Sequence, residues 1–382
     1  MKLLICTPYS LHRELGAPKI VIELTEELRA LGWDCTLVGK EEIERAGEPY
    51  PESLRRHLLA VAGGYDIVEY DHQSLPFPRS LFPEKTLLVA RSSLLAHHFR
   101  RIRIPPMQRG WGRLREEVAR LRDWPAHCRR IAQAHRTVAQ ADLVNVANHG
   151  DHDELVRCGV PSAKIVILPY GIDAARWPLF DAVDQAVPPR PRVAFVGSFD
   201  ARKGGRDFPA LVAELARAVP GIRVRLLGTG KTAPDGRPIA DFLLAALRPH
   251  LEIIPGYSPG ELPALLADCS AGVFPSYIES FGFGVIEMMA AAVPVIAYDC
   301  PGPSDILPPE QIVPRGDFRA MSSRITAWLR DPEALRTARR AARERSRGYR
   351  WDRIARATAE AYTQAWARRR NQPPTPVAET TS

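Results

Sequence analysis

The sequence predicts an α/β protein with two domains in series, each built on a parallel sheet. The chain has 382 residues, which suggests two domains of ordinary size. Short apolar runs of strand length alternate with segments of helical spacing, as in βαβ units. A proline-rich break at residues 187–192 interrupts this alternation, and the pattern then restarts. We therefore place the first domain at residues 1–185 and the second at residues 186–350.

The first half holds the elements of one sheet. Residues 2–7 form an apolar run typical of a buried strand, and residues 20–31 show helical spacing that ends at Gly32. Residues 35–38 complete a βαβ unit. Later strands are predicted at 66–70, 86–90, 141–147 and 164–168, and a helix with a break near Pro125 is predicted at 113–140.

The second half repeats the pattern. Strands are predicted at 192–196, 223–227, 272–274 and 294–298, and helices at 208–219, 262–268 and 284–292. The two halves together indicate Rossmann-like domains that face each other. Ligands of open parallel sheets bind at the carboxyl ends of the strands, so the site is expected in the cleft between the domains.

Composition limits the function classes. Hydrophobic residues make up 45% of the chain and charged residues 25%, which is ordinary for a globular protein. The six cysteines form no CxxC pair and no zinc spacing, which indicates a reducing compartment and no structural metal. The apolar start is too short for a signal peptide, and no stretch approaches the ~20 apolar residues of a membrane span. We expect a cytoplasmic protein, with peripheral contact at the inner membrane face as an open alternative.

The formal charge of +8 is unevenly distributed. Residues 91–136 hold twelve arginines against three acids, and residues 330–370 hold thirteen arginines against five. Such stretches attract anionic lipids, nucleic acid or anionic substrates, or they are solvated helix faces. No nucleic-acid-binding module accompanies them, so no nucleic-acid partner is expected. A headgroup surface within residues 100–115 would use Ile102, Ile104, Met107 and Trp111.

The most informative segment is residues 275–290, in which Glu279 and Glu287 flank Gly282 and Gly284. The glycines let the backbone approach a bulky anion, and a helix start near Gly284 suits a diphosphate. Carboxylates accept two hydroxyl hydrogen bonds, so each glutamate suits a sugar or a ribose. The alternative is that both glutamates only stabilise the helix N-terminus electrostatically.

This segment resembles the Glu-x7-Glu motif of the retaining glycosyltransferases of family 4, which have the GT-B fold of two Rossmann-like domains facing across a cleft. The resemblance runs from near residue 1 to about residue 365. Supporting segments are 168–173, 196–204, 292–297 and 301–307. It implies that a helix at 351–370, beginning with Trp351, crosses back to the first domain. We expect residues 371–382 to form a disordered tail.

The resemblance also implies a role for individual residues. Lys203 would bind the donor diphosphate, Glu279 the donor sugar and Glu287 the ribose. Further donor contacts would come from Gly16, Gly197, Ile254, Phe281, Gly282, Phe283 and Gly284.

The sequence departs from the family pattern in three places, one of which is Ala17, where the family often has a second glycine after Gly16. Ser198 stands where the family often has Arg, and Arg202 either supplies the missing charge or is a solvated loop residue. Ser93 stands where many members have an acceptor-side His. His72, His97 and His98 are the substitutes that the sequence offers.

The resemblance therefore implies a metal-independent glycosyltransferase of the hexosyltransferase type. It would move a sugar, with retention, from a nucleotide-diphosphate donor, UDP- or GDP-linked, to a glycan, glycolipid or other hydroxyl acceptor. Polysaccharide biosynthesis is the default role, and no cofactor is expected. The alternatives are a sugar-nucleotide 2-epimerase and a non-catalytic nucleotide-sugar-binding protein. A nicotinamide dehydrogenase is disfavoured, because no GxGxxG follows the first strand.

Overall fold

A computed structural model describes residues 1–12, 16–108, 110–233, 237–243 and 245–371. Within these residues the chain forms two six-stranded sheets whose strand pairs are all parallel. Both sheets are covered by helices, and their strands are mostly buried, as expected for parallel sheets. The fold class predicted from the sequence is confirmed.

The first sheet has the order β2-β1-β3-β4-β5-β6. Its strands are β1 (Lys2–Cys6), β2 (Asp34–Val38), β3 (Ile67–Asp71), β4 (Leu87–Arg91), β5 (Leu143–Val146) and β6 (Ile165–Ile167). The helices of this half are α1 (Gly16–Ala30), α2 (Lys40–Ile43), α3 (Tyr50–Val61), α4 (Gly110–Gln140), α5 (His149–Arg157) and α6 (Trp177–Asp181).

The second sheet has the order β12-β11-β10-β7-β8-β9. Its strands are β7 (Arg192–Val196), β8 (Arg223–Leu227), β9 (Leu251–Ile254), β10 (Ala271–Phe274), β11 (Val295–Tyr298) and β12 (Ile312–Val313). The helices of this half are α7 (Phe208–Ala218), α8 (Ile239–Phe242), α9 (Leu262–Leu266), α10 (Phe283–Ala290), α11 (Pro303–Ile306), α12 (Phe318–Arg330), α13 (Pro332–Ser346) and α14 (Trp351–Asn371).

Strand order reverses once in each sheet, and the reversal marks where a ligand binds. In the first sheet the reversal lies between β1 and β3, and in the second between β7 and β10. The loop after β7 carries Lys203, and the loop after β10 carries Glu279. Two of the predicted site residues therefore follow the strands at which a crevice opens.

Helix α14 returns to the first half of the chain, as the resemblance implied. Trp351 Nε1 donates to Glu23 Oε2 of α1 at 2.5 Å, and Tyr362 Oη donates to Glu69 Oε2 of β3 at 2.5 Å. Asn145 Nδ2 donates to the same tyrosine oxygen at 2.8 Å. All five side chains are buried, so α14 is part of the first half's core. Of the predicted tail, Asn371 is the last residue of α14, and residues 372–382 lie outside the described residues.

The arginine-rich stretch at 330–370 is partly structural rather than a solvated face. Arg339 and Arg343 of α13 are buried. Arg339 Nη1 donates to the carbonyl of Cys269 at 2.7 Å, and Arg343 Nη1 donates to that of Ala290 at 2.7 Å. Both guanidinium groups also bond to carbonyls of residues 180–185, which tie the segment before β7 to the second half.

Two expectations for residues 100–140 were wrong. Helix α4 is continuous through Pro125, which lies on its exposed side, where water can solvate the carbonyl that proline leaves unpaired. Met107 is buried and packs with the core of the second half, and Ile104 packs against the same core. These two side chains therefore face the second domain and are not available to a lipid surface.

A candidate nucleotide-sugar site and a neighbouring cavity

The loop after β7 is shaped around Asp200. Ser198 Oγ donates to Asp200 Oδ2 at 2.7 Å, and the Lys203 amide donates to Asp200 Oδ1 at 2.9 Å. Gly204 adopts φ +76°, and a Cβ there would lie 2.1 Å from the carbonyl oxygen of Pro275. Ser198 therefore helps to fix the backbone that carries Lys203.

Lys203 and Arg202 meet Glu279. Lys203 Nζ forms an ion pair with Glu279 Oε1, and Arg202 Nη1 lies 3.3 Å from the same oxygen. Lys203 Nζ also lies 5.1 Å from the centre of the Phe274 ring at the end of β10. The structure thus brings the three predicted catalytic residues together, with Glu279 buried and the two cations partly accessible.

The start of α10 lies against the end of β7. Gly282 is the residue before the helix and has φ +99°, which favours glycine. A Cβ at Gly284 would lie 2.6 Å from the carbonyl oxygen of Val196, so this glycine lets the helix pack on β7. The first amides of α10, which lack intrahelical partners, are thereby held close to Gly197 at the start of the Lys203 loop.

Phe281 and Phe283 contribute packing as well as backbone. Phe283 is stacked on Tyr170 with ring centres 5.8 Å apart, and Phe281 meets Tyr170 edge to face at 5.3 Å. Phe281 and Tyr170 are buried. This aromatic cluster joins the segment after β6 to the start of α10 and so stiffens the backbone at the candidate phosphate site.

Glu287 has two cationic neighbours that the sequence analysis did not identify. Arg176 Nη1 lies 2.8 Å from Glu287 Oε1, and Lys19 Nζ lies 3.8 Å from it. Lys19 belongs to α1 of the first half and sits 5.6 Å from the centre of the Phe283 ring. The two cations lie near segments that the sequence did mark: Lys19 follows Gly16 by one helical turn, and Arg176 follows the crossing segment 168–173.

The remaining predicted donor contacts lie at the edges of this region. Gly16 begins α1, and a Cβ there would meet nothing within 4 Å. Ile254 ends β9, and its carbonyl already accepts from the Gly228 amide at 2.9 Å.

A hydrogen bond also joins the two halves across the cleft. Asn148 Nδ2 donates to the Ser280 carbonyl at 2.5 Å, which fixes the first half against the Glu279 loop.

A cavity of about 990 Å³ opens beside this site in the first half of the chain. Asp71 and Ser93, which follow β3 and β4, line one wall, and Ala201 of the Lys203 loop lines another. Helix α4 and the segment before it close the outer side through Arg120, Trp124 and other side chains. The volume is in the range of small-molecule sites.

Asp71 was missed by the sequence analysis, although it directly precedes His72. Ser93 Oγ donates to Asp71 Oδ2 at 3.1 Å, and the Gln73 amide donates to Asp71 Oδ1 at 2.9 Å. Burial by itself would raise the pKa of Asp71, but His72 and these hydrogen bonds outweigh it and lower the pKa. Asp71 is therefore an ionised carboxylate, which can accept a hydrogen bond from a hydroxyl group in the cavity.

Of the four residues named for the acceptor side, Ser93 lines the cavity, and His72, His97 and His98 are buried and do not line it. His72 Nδ1 lies 3.5 Å from Asp71 Oδ2, so the His72 ring contacts the Asp71 carboxylate from the protein interior. Burial and the neighbouring histidines lower the pKa of His97 to about 3. His98 Nε2 lies 2.7 Å from Asp151 Oδ1, which is also buried.

In the part of the chain that the structure describes, no group of three or more His, Cys, Asp or Glu side chains could hold a metal ion. The six cysteines are unpaired, and four of them are buried. No helix among the described residues has the length and apolar character of a membrane span.

The structure is similar to solved glycosyltransferases over almost its whole length. It matches sucrose-phosphate synthase from Thermosynechococcus elongatus with a TM-score of 0.70 and 21% identity, covering 96% of this chain and 99% of that one. It matches Anabaena HepE in complex with UDP-glucose with a TM-score of 0.65 and 14% identity, covering 95% and 100%. The fold is therefore that of the GT-B glycosyltransferases.

Sequence comparison adds a match within the second half. Residues 181–345 match the family model described as "Glycosyl transferases group 1". The chain is 29% identical over 254 residues to glycogen synthase from Mycobacterium tuberculosis, covering 63% of this chain and 59% of the synthase. It is 30% identical over 275 residues to D-inositol 3-phosphate glycosyltransferase from Kineococcus radiotolerans, covering 64% and 62%. The chain thus spans about three-fifths of the length of each of these relatives.

Proposed function

We propose that this protein is a retaining glycosyltransferase that moves a sugar from a nucleotide-diphosphate donor to a hydroxyl group, without a metal ion. The observation that carries the proposal is the meeting of Lys203, Arg202 and Glu279 at the start of α10. This cluster occupies the strand-order reversal of the second sheet, the position at which nucleotides bind in such folds.

The donor side has the charge that a diphosphate needs. Lys203 and Arg202 lie on one side of the α10 N-terminus, and Lys19 and Arg176 lie near Glu287 one turn further along. We infer that the diphosphate lies between the Lys203 loop and the first amides of α10. Glu279 would then bind the sugar hydroxyls, and Glu287 the ribose hydroxyls.

The chemistry follows from this placement. The bond from the anomeric carbon to the diphosphate oxygen breaks, and a bond to the acceptor oxygen forms on the same face of the sugar. The acceptor proton passes to the leaving diphosphate oxygen. The protein's part is to stabilise the charge that grows on that oxygen, and Lys203, Arg202 and the α10 amides supply the preorganised donors.

We place the acceptor in the 990 Å³ cavity. The Asp71 carboxylate and the Ser93 hydroxyl would orient the acceptor hydroxyl, and Ala201 marks the wall nearest the Lys203 loop. No histidine is required in this arrangement, because the leaving diphosphate takes the proton. Asp71 acts as a positioning group and need not change its protonation state.

UDP-glucose is the first donor to test, since HepE is solved with that molecule bound. A thermal-shift screen of UDP-, GDP-, ADP- and dTDP-linked sugars identifies the donor, because a ligand of the folded state raises its melting temperature. We expect sugars linked to one of these nucleotides to raise the melting temperature, and we expect that rise to persist in excess EDTA. Transfer abolished by EDTA, or an inverted anomeric product by NMR, would contradict the metal-free retaining mechanism.

Two outcomes would favour the alternatives. Conversion of a nucleotide sugar into its C2 epimer without an acceptor would indicate an epimerase. Donor binding without transfer or hydrolysis across a panel of acceptors would indicate a non-catalytic binding protein.

A further inference from the structure

The outer face of helix α4 carries an exposed apolar row. Trp111, Leu114, Val118 and Leu121 are 82%, 53%, 57% and 73% exposed. Their spacing of three, four and three residues places them on one face of the helix. Side chains of this size are normally exposed singly on a folded protein, and a contiguous row marks an interaction surface.

This row is not the face by which α4 packs on the protein. Glu116, Arg120 and His127 lie on the inner side of the helix and line the cavity. Further along, Ile131 and Ala134 are buried under the same side. Leu121 lies at the rim of the cavity, and Trp111, Leu114 and Val118 point away from it. Nothing in the described part of the chain covers the row.

The charge around the row is strongly positive. Arg115, Arg122 and Arg129 follow one another at intervals of seven residues, all are exposed, and they form a second row beside the apolar one. Among the nearby acids, Asp123 pairs with Arg122 at 3.0 Å, and the other two contact groups outside this row of arginines. Glu116 accepts from the amides of Met107 and Gln108, and Glu117 pairs with Arg103 and Arg120.

An apolar row bordered by arginines matches a bilayer surface that contains anionic lipids. Tryptophan and leucine enter the acyl boundary, and each basic side chain near the surface adds to the attraction. We propose that α4, through Trp111, Leu114, Val118 and Leu121, docks this protein on an anionic membrane surface.

The position of α4 extends the proposal to the acceptor class, and this part rests on the proposed function. Helix α4 is the outer wall of the cavity that contains Asp71 and Ser93. An acceptor anchored by a lipid tail in the bilayer would reach this cavity beside α4 with its polar head. The acceptor is therefore a lipid-linked hydroxyl compound.

Sedimentation of the full chain with phosphatidylcholine vesicles, with and without phosphatidylglycerol, tests the surface. We expect binding to the anionic vesicles that weakens as salt is raised. Trp111→Ser combined with Leu121→Ser should weaken it at least about tenfold, because two large apolar side chains leave the membrane. The matched control is Leu59→Ser with Leu179→Ser, 51% and 45% exposed and outside α4, which should bind as the unmodified chain does.

Equal binding of both double variants, or no binding by the unmodified chain, overturns the proposal. So does a dimer in size-exclusion chromatography that the α4 variant dissociates, since a second copy would then cover the row. The nucleotide-sugar thermal shift is measured on the same samples. Vesicle binding without a thermal shift would contradict the proposed function alone, and a thermal shift without vesicle binding would contradict the membrane surface alone.

Discussion

Removing the Lys203 ammonium tests the assignment of the donor site. Lys203→Ala deletes a cation that is paired with the buried Glu279 carboxylate next to the α10 start. A preorganised donor to a developing oxyanion is worth about 10²–10³ in kcat, or about 3–4 kcal/mol. Arg202 Nη1 lies 3.3 Å from the same carboxylate and can partly compensate, so we expect a loss of about 10² in kcat/KM, near the lower end of that range.

Initial rates of sugar transfer measure this loss, with the donor varied at a saturating acceptor concentration. Lys203→Arg should recover part of the activity, because it keeps the charge. Lys85→Ala, at an exposed position in the first half, is the matched control and should retain full activity. A Lys203→Ala enzyme with unchanged kcat/KM would refute the assignment of this lysine to the diphosphate.

Three further changes have expected outcomes. Glu287→Ala should raise the KM for the donor about tenfold or more, since a carboxylate hydrogen bond to ribose is worth about 1.5–3 kcal/mol; an unchanged KM contradicts its role. Tyr362→Phe removes the hydrogen bond to Glu69 and should lower the free energy of unfolding by about 1–3 kcal/mol in urea titrations, with Thr363→Val on the exposed side of α14 as control. Burial raises the pKa of Glu23 from 4.5 to about 7 despite Lys19, so the folded state keeps a proton that the unfolded state loses as pH rises from 4.5 to 7. The free energy of unfolding should therefore fall across that window by up to about 3 kcal/mol. In Glu23→Gln, whose side chain can still accept the hydrogen bond from Trp351, the melting temperature should depend less on pH over the same window. An equal dependence of the melting temperature on pH in both proteins would contradict this.

The fold was predictable because its signals are local. Apolar runs such as residues 2–7 and 192–196 became strands β1 and β7 close to the expected bounds. Strand β9 was not recognised as a strand, and helix α3, with its Pro-Glu start, was not assigned. A break in α4 was wrongly predicted at Pro125. Proline ends a helix most strongly where water cannot replace the hydrogen bond that it removes, and at the exposed Pro125 water can do so.

The donor site was predictable where it is contiguous in sequence. Glu279, Glu287 and the glycines between them form one segment, and Lys203 lies in a loop that the resemblance marks. Lys19 and Arg176 come from distant segments that only the packing of the two halves brings to Glu287. No local pattern distinguishes such residues from other surface cations.

The acceptor side was harder to predict for the same reason. The sequence directed attention to histidines, but His97 is buried and does not line the cavity, whereas Asp71 lines it. The exposed row on α4 was partly visible, since Trp111 was recognised. The contact of Met107 with the second domain depends on tertiary packing and could not be read from residues 100–115 alone.

A crystal structure of the protein with UDP bound tests the central claim most directly. We expect diphosphate oxygens within hydrogen-bond distance of Lys203 Nζ and of the first amides of α10, and ribose hydroxyls on the Glu287 carboxylate. A nucleotide found away from these groups, or bound with its phosphates turned from the α10 N-terminus, would contradict it.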